Sequence, residues 1–250
     1  MQPCARRFTS PARAEALVRA RPSIGTLLLC CLAFAALAPA TPRATRPLIV
    51  VPPQRPDASG VTLYLHGLCG FPHRGCEALR DAASAQGWLL GPTAPADLPG
   101  CGPSWSASPR LRDVTLSRAL HHAPDAPGSR VLVGFSQGAF TAVDLLRATP
   151  GRWTAVALVG AEVRVNARAI RRAGVQRVAL AAGRYDQAAR SMRATAEALR
   201  RDGVDARFVS LGEVGHTPAS RGVGPVWREL LAWLHAGDQP ANASTRTPSS

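Results

Sequence analysis

The chain has 250 residues, 46% of them hydrophobic, enough for one domain with a real core and too many for wholesale disorder. It carries 30 basic residues against 16 acidic ones, for a net charge of +14, and every basic residue is an arginine. The arginines are scattered, with runs no longer than pairs such as Arg171-Arg172, and only 5% of residues are aromatic, so a solvated basic surface is expected and nucleic-acid binding is not.

The first forty residues read as a targeting segment. Arg6, Arg7, Arg13, Arg19 and Arg21 precede an uncharged apolar run, Ile24 to Leu37, that ends in the small residues Ala38-Pro39-Ala40. Export is therefore expected, with residues 1–40 removed as a signal peptide. The rival reading keeps residues 24–40 as a membrane tether, since their 17 positions stand at the short limit for a span. A catalytic domain is expected over 41–237. A tail over 238–250 has no core-forming content, and its Asn242-Ala243-Ser244 matches the glycosylation pattern.

Between these ends, short apolar runs alternate with helical stretches, the pattern of a mostly parallel sheet with helices on both faces in a three-layer α/β sandwich. The expected strands are Leu48–Val51, Val61–Leu65, Trp88–Leu90, Val131–Phe135, Ala155–Val159, Arg177–Ala181 and Arg207–Ser210. The expected helices are Glu77–Gln86, Leu111–His121, Ala139–Arg147, Ala188–Arg201 and Val226–His235. The strands are rich in Val, Leu and Ala with little alternation, as burial on both faces demands. Gly91–Pro109 shows no period and is expected to be a long loop.

Chemistry concentrates at Gly134-Phe135-Ser136-Gln137-Gly138, which ends one expected strand and opens a helix. A reversal that sharp strains its central residue and needs small neighbours, and it lifts the serine hydroxyl above the sheet edge as a candidate nucleophile. A hydroxyl needs a base within hydrogen-bond reach. His216, in the loop Glu213–Pro218 before the last helix, occupies the position a base would take. His121 and His122 are expected to be solvent-exposed, and His235 to make a surface or helix-end contact. The orienting acid is expected at Asp186, after Gly183 in the loop that follows the strand 177–181, with Glu162 and Glu213 as alternatives. Asp186 could also be a simple helix cap. Two amides could face an oxyanion: that of Leu68, in the turn His66-Gly67-Leu68-Cys69-Gly70, and that of Gln137. His66 is expected to hold that turn rather than act as a base.

Three cysteines follow residue 40: Cys69, Cys76 and Cys101. An oxidising compartment would permit one disulfide, for which Cys76–Cys101 is the first choice because both flank glycines, or all three remain unpaired. No CxxC pair is present, and neither a metal nor an organic cofactor is expected.

In this order, His66-Gly67, the Gly-Phe-Ser-Gln-Gly turn, Asp186 and Gly215-His216 resemble the α/β-hydrolase superfamily. The form of the serine turn is similar to that of its carboxylesterase, phospholipase and acyl-protein thioesterase branch, and to that of dienelactone-hydrolase relatives. The resemblance covers roughly residues 46–236 and implies the α/β-hydrolase fold. It also implies Ser136, Asp186 and His216 as triad, Leu68 and Gln137 as oxyanion donors, and a small-molecule ester or thioester as substrate. A serine peptidase, or a non-catalytic binding protein on the same scaffold, remains the alternative.

Overall fold

The computed structural model describes residues 46–123 and 126–236, so the expected targeting segment and tail lie outside the described residues. Seven strands form the main sheet in the order β1-β3-β2-β6-β7-β8-β9. These are β1 (Leu48–Val51), β2 (Gly60–Leu65), β3 (Gly87–Pro92), β6 (Arg130–Phe135), β7 (Ala155–Val159), β8 (Arg177–Ala182) and β9 (Asp205–Ser210). Only β1 runs antiparallel, against β3; every other pairing in this sheet is parallel. Parallel neighbours need crossovers, and the helices between them cover both faces. The result is the α/β-hydrolase fold expected from the motif order.

Alternation along the strands sorts the core into two layers. Leu63, Leu65, Leu132, Val156, Leu158, Val178 and Leu180 face α2 (Pro109–Leu120), α3 (Gln137–Ala148), α4 (Ala167–Ala173) and α5 (Ala189–Arg201). The opposite face carries Ala155, Ala157, Ala179 and Ala181, which share a cluster with Leu79 of α1 (Pro72–Ser84) and with Trp227 and Leu231 of α6 (Gly224–His235). The small alanines on β7 and β8 leave room for the fully buried indole of Trp227.

Several expectations are corrected. The helix α1 starts at Pro72 rather than Glu77, because proline at the first helical position needs no hydrogen-bond partner for its nitrogen. Its buried stripe therefore includes Pro72, Gly75, Cys76 and Leu79. The helix α4 is an addition to the expected set: its 7 residues are too few to show a period, although Asn166 caps its start through Ala169 N (2.9 Å) and Gly174 closes it at φ 75°. The segment 91–109 is not one long loop. It contains the end of β3 and a two-stranded antiparallel hairpin, β4 (Ala96–Leu98) with β5 (Gly102–Ser104).

The disulfide joins Cys69 to Cys101, with Cα atoms 5.1 Å apart, and not Cys76 to Cys101. Cys76 is on the buried face of α1, where a Cβ on Gly91 would strike its sulfur, so it is no loop cysteine and its thiol stays free. Burial pushes that thiol up to about 12. His235 is likewise buried rather than at the surface. Its Nε2 bonds Thr62 Oγ1 (2.9 Å) and its Nδ1 bonds Ser129 Oγ (2.6 Å), and burial lowers it to about 4. No helix among the described residues is long and apolar enough to cross a membrane.

Candidate active site

The buried run of β6 delivers Ser136 to the C-terminal edge of the sheet, where the chain reverses into α3. Ser136 has φ 53° and ψ −117°; among the described residues only Cys69 is another non-glycine at positive φ. A side chain in this region is strained and persists only where its surroundings hold it. Its amide is tied to Val159 O at 2.8 Å, and the flanking glycines let the chain close up. A Cβ at Gly134 would lie 2.7 Å from Ala139 Cα, and one at Gly138 would lie 2.8 Å from His66 O and closer still to Leu65 O. Backbone on both sides cannot give way, so these two positions admit glycine alone.

Three side chains distant in the chain converge here. His216 Nε2 lies 3.0 Å from Ser136 Oγ, and His216 Nδ1 lies 2.9 Å from Asp186 Oδ2. The second carboxylate oxygen, Asp186 Oδ1, accepts the Ala188 amide at 2.9 Å, just ahead of α5. The Asp186 side chain is 4% exposed and that of His216 51%, an acid shielded from water beside a base open to it. The loops carrying them are zipped together by Arg184 N to Gly212 O (2.8 Å) and Tyr185 N to Val214 O (2.9 Å). Gly183 permits that approach, since a Cβ there would meet Gly215 O at 2.6 Å. Of the alternative acids, Glu213 pairs with Arg184 at 2.7 Å and Glu162 is exposed. Beyond His216, Trp227 Nε1 of α6 donates to Pro218 O at 3.1 Å, anchoring the loop that holds His216.

The turn after β2 lies against Ser136: a Cβ on Gly67 would stand 3.2 Å from Ser136 Cβ. Leu68 follows, 47% exposed, and then Cys69, whose amide donates to Pro103 O at 2.9 Å. His66 is buried and holds this turn, as expected. Its Nδ1 bonds Gly67 O (2.7 Å), its Nε2 accepts the Ala94 amide (2.9 Å), and burial lowers its basicity. Gln137 stands at the first turn of α3, where amides have no partner within the helix.

Other residues contribute besides those expected from the sequence. The Phe135 ring lies 4.9 Å from the His216 ring. Gly160, at φ 57°, forms the floor under the acid and base: a Cβ there would be 3.0 Å from Asp186 Oδ2 and 3.2 Å from His216 Cε1. A glycine directly after the buried strand β7 is the available signal for it. Trp105, whose Nε1 donates to His66 O at 2.9 Å, gives no local signal at all.

A cleft of about 410 Å³ adjoins the group, lined by Gly67, Leu68, Arg74, Phe135, His216 and Pro218 among others. A larger open groove of about 630 Å³ between α1 and α6 contains none of the three converging residues. No group of three or more metal-ligating side chains occurs among the described residues.

No protein-family model and no characterised protein sequence matches the chain. Solved structures do. Esterase PE8 superposes with a TM-score of 0.58 at 20% identity, over 74% of this chain and 97% of its own. Acyl-protein thioesterase 2 of Zea mays gives 0.55 at 19% identity, over 76% and 99%. A Bacillus cereus carboxylesterase gives 0.53 at 19% identity, over 77% and 96%. The chain is similar to these in fold.

Proposed function

We propose that the protein is a serine hydrolase that cleaves carboxylic ester or thioester bonds through an acyl-enzyme intermediate. The observation that carries this reading is the unbroken line from the strained Ser136 Oγ through His216 to the buried Asp186, with contacts of 3.0 and 2.9 Å.

The roles follow from the donors and acceptors. Asp186 Oδ2 can only accept, so Nδ1 of the neutral imidazole carries the proton and Nε2 accepts from the Ser136 hydroxyl. As Oγ attacks the carbonyl carbon, its proton passes to Nε2 and the carbonyl oxygen becomes an oxyanion. The amides of Leu68 and Gln137 are the donors assigned to that oxygen. When the tetrahedral adduct collapses, the proton on Nε2 goes to the departing alkoxide or thiolate and leaves an ester on Ser136. Water then attacks that ester, His216 takes its proton, and the acid departs as Oγ recovers the proton. Asp186 stabilises the imidazolium in both halves without being protonated. The structural neighbours named as esterase, carboxylesterase and thioesterase support the class of bond.

The proposal extends to location: the protein acts outside the cytoplasm, on the strength of the arginine-flanked apolar run Ile24–Leu37. N-terminal sequencing of protein recovered from the secreting cell tests this, and an intact Met1 in the cytoplasmic fraction would overturn it.

A fluorophosphonate probe tests the nucleophile. Labelling of the wild-type protein and its loss in Ser136→Ala are expected. Absent labelling, or labelling that survives the substitution, defeats the assignment. A series of p-nitrophenyl esters run against peptide anilides then separates an esterase from a peptidase.

A further inference from the structure

The two amides assigned to the oxyanion follow different strands, β2 and β6. The pairing of those strands ends at Leu65 and Gly134, so beyond that point the sheet no longer fixes the gap between the turns that bear the amides. Leu68 is half exposed and its side chain anchors little. Cys69 beside it is held at φ 57°, a left-handed conformation that a non-glycine residue leaves unless restrained.

The restraints come from the β4–β5 hairpin and the residue after it. Cys101 binds the Cys69 sulfur, and Pro103 O receives the Cys69 amide at 2.9 Å. Gly102 packs close enough that a Cβ there would touch Cys69 O at 3.5 Å. The next two residues grip the other turn. Gln137 Oε1 accepts the Trp105 amide at 3.0 Å, and Gln137 Nε2 donates to Ser104 Oγ at 2.9 Å. Ser104 and Trp105 are almost wholly buried, and Trp105 reaches back to His66 O. The continuous segment 101–105 thus holds both donor-bearing turns at once.

We propose that segment 101–105 is a brace that sets the distance between the Leu68 and Gln137 amides, with the Cys69–Cys101 disulfide and the Gln137 side chain as its positioning elements. This rests on the serine hydrolase reading and deepens it. Gln137 acquires two separate duties: its amide faces the oxyanion and its side chain aims that amide. The disulfide links the brace to the turn next to Leu68. Hydrogen bonds weaken steeply with distance and angle, and a misplacement of about 1 Å in a reacting site can cost on the order of 10²-fold in rate. Because the oxyanion exists only in the transition state, a loosened brace lowers kcat and leaves substrate binding in place.

Three proteins test this: Gln137→Met, which keeps the backbone amide and drops the side-chain bonds to Ser104 and Trp105; the Cys69→Ser/Cys101→Ser double variant; and the wild-type protein reduced with a phosphine. Each is measured for kcat and KM on a p-nitrophenyl ester, for inhibition by a trifluoromethyl ketone that forms an oxyanion on Ser136, and for melting temperature. The expected result is a fall in kcat of about 10- to 100-fold with KM within about 2-fold, and a rise in the ketone inhibition constant in proportion. A purely structural role would lower the melting temperature and leave kcat of the folded fraction and the inhibition constant unchanged. Values within about 2-fold of wild type in Gln137→Met and in the reduced protein overturn the brace, as does a rise in KM at constant kcat. If Gln137→Met does not fold, the reduced wild-type protein decides by the same criteria. A wild-type protein inert toward esters, fluorophosphonate and the ketone defeats the hydrolase reading instead, a result distinct from an active enzyme indifferent to its brace.

Discussion

Replacing Asp186 by Asn exchanges a single heavy atom and, on this geometry, should reverse the direction of a hydrogen bond that residue 186 does not itself make. Asp186 Oδ1 accepts the Ala188 amide at 2.9 Å, and that donor is fixed by the start of α5. In Asp186→Asn the amide oxygen must take that position, because the alternative sets an NH2 group against a backbone N–H. The NH2 group then faces His216 Nδ1, where the carboxylate oxygen now lies 2.9 Å away. Nδ1 becomes an acceptor, the imidazole proton moves to Nε2, and the group 3.0 Å from Ser136 Oγ donates instead of accepting. The base is then in the wrong tautomer and the imidazolium loses its counter-charge. The expected fall in kcat is about 10⁴-fold, equivalent to about 5 kcal/mol, with KM little changed. Steady-state hydrolysis of a p-nitrophenyl ester and the rate of fluorophosphonate labelling should fall together. An Asp186→Asn protein whose kcat stays within about tenfold of wild type refutes the orienting role of Asp186.

Three further outcomes follow from the same structure. His235 is lowered to about 4 by burial, against an unfolded value of about 6.5, so the unfolded chain takes up its proton first as pH falls. Its contribution to stability is complete above about pH 6.5 and declines by about 3 kcal/mol down to about pH 4; urea unfolding at about pH 7.5 and about pH 4.5 should show a wild-type difference that shrinks in His235→Gln, and an equal difference in both proteins would refute it. Gly138→Ala should destabilise the protein by about 1–3 kcal/mol and abolish turnover, since its Cβ would press into the Leu65 and His66 backbone; denaturant melts and ester assays check this, and a variant with wild-type stability would show that the turn has room. Cys76, buried and with its thiol raised to about 12, should resist iodoacetamide in the native protein and react after unfolding, as read by peptide mass mapping; modification under native conditions contradicts the burial.

The strands are legible in the sequence because burial on both faces selects unbroken runs such as Val131–Phe135 and Ala155–Val159, which report their environment locally. The serine turn is legible for a related reason: a steric demand at Gly134 and Gly138 is written in the residues themselves. The start of α1 is not, because Pro72 is both a loop marker and a helix opener, and misplacing it carries Cys76 out of the core and into an incorrect disulfide. The environment of His235 cannot be read at all. Its partners Thr62 and Ser129 stand 173 and 106 residues away, and no local pattern encodes a bond of that span. The same holds for the hairpin at 96–104, which is secured by Cys69 and Gln137 and not by any period of its own.

The anchoring of the base loop by α6 has a bearing on synthesis. Trp227 Nε1 holds Pro218 O, and its ring fills the alanine-lined face of the sheet, yet α6 is the last described element to leave the ribosome. A growing chain released as far as Thr217 already contains Ser136, Asp186 and His216 but lacks the Trp227 anchor of the loop that carries the imidazole. On the proposed function, competence is complete only when translation reaches α6 and that helix docks, so a chain aborted before it is expected to be silent.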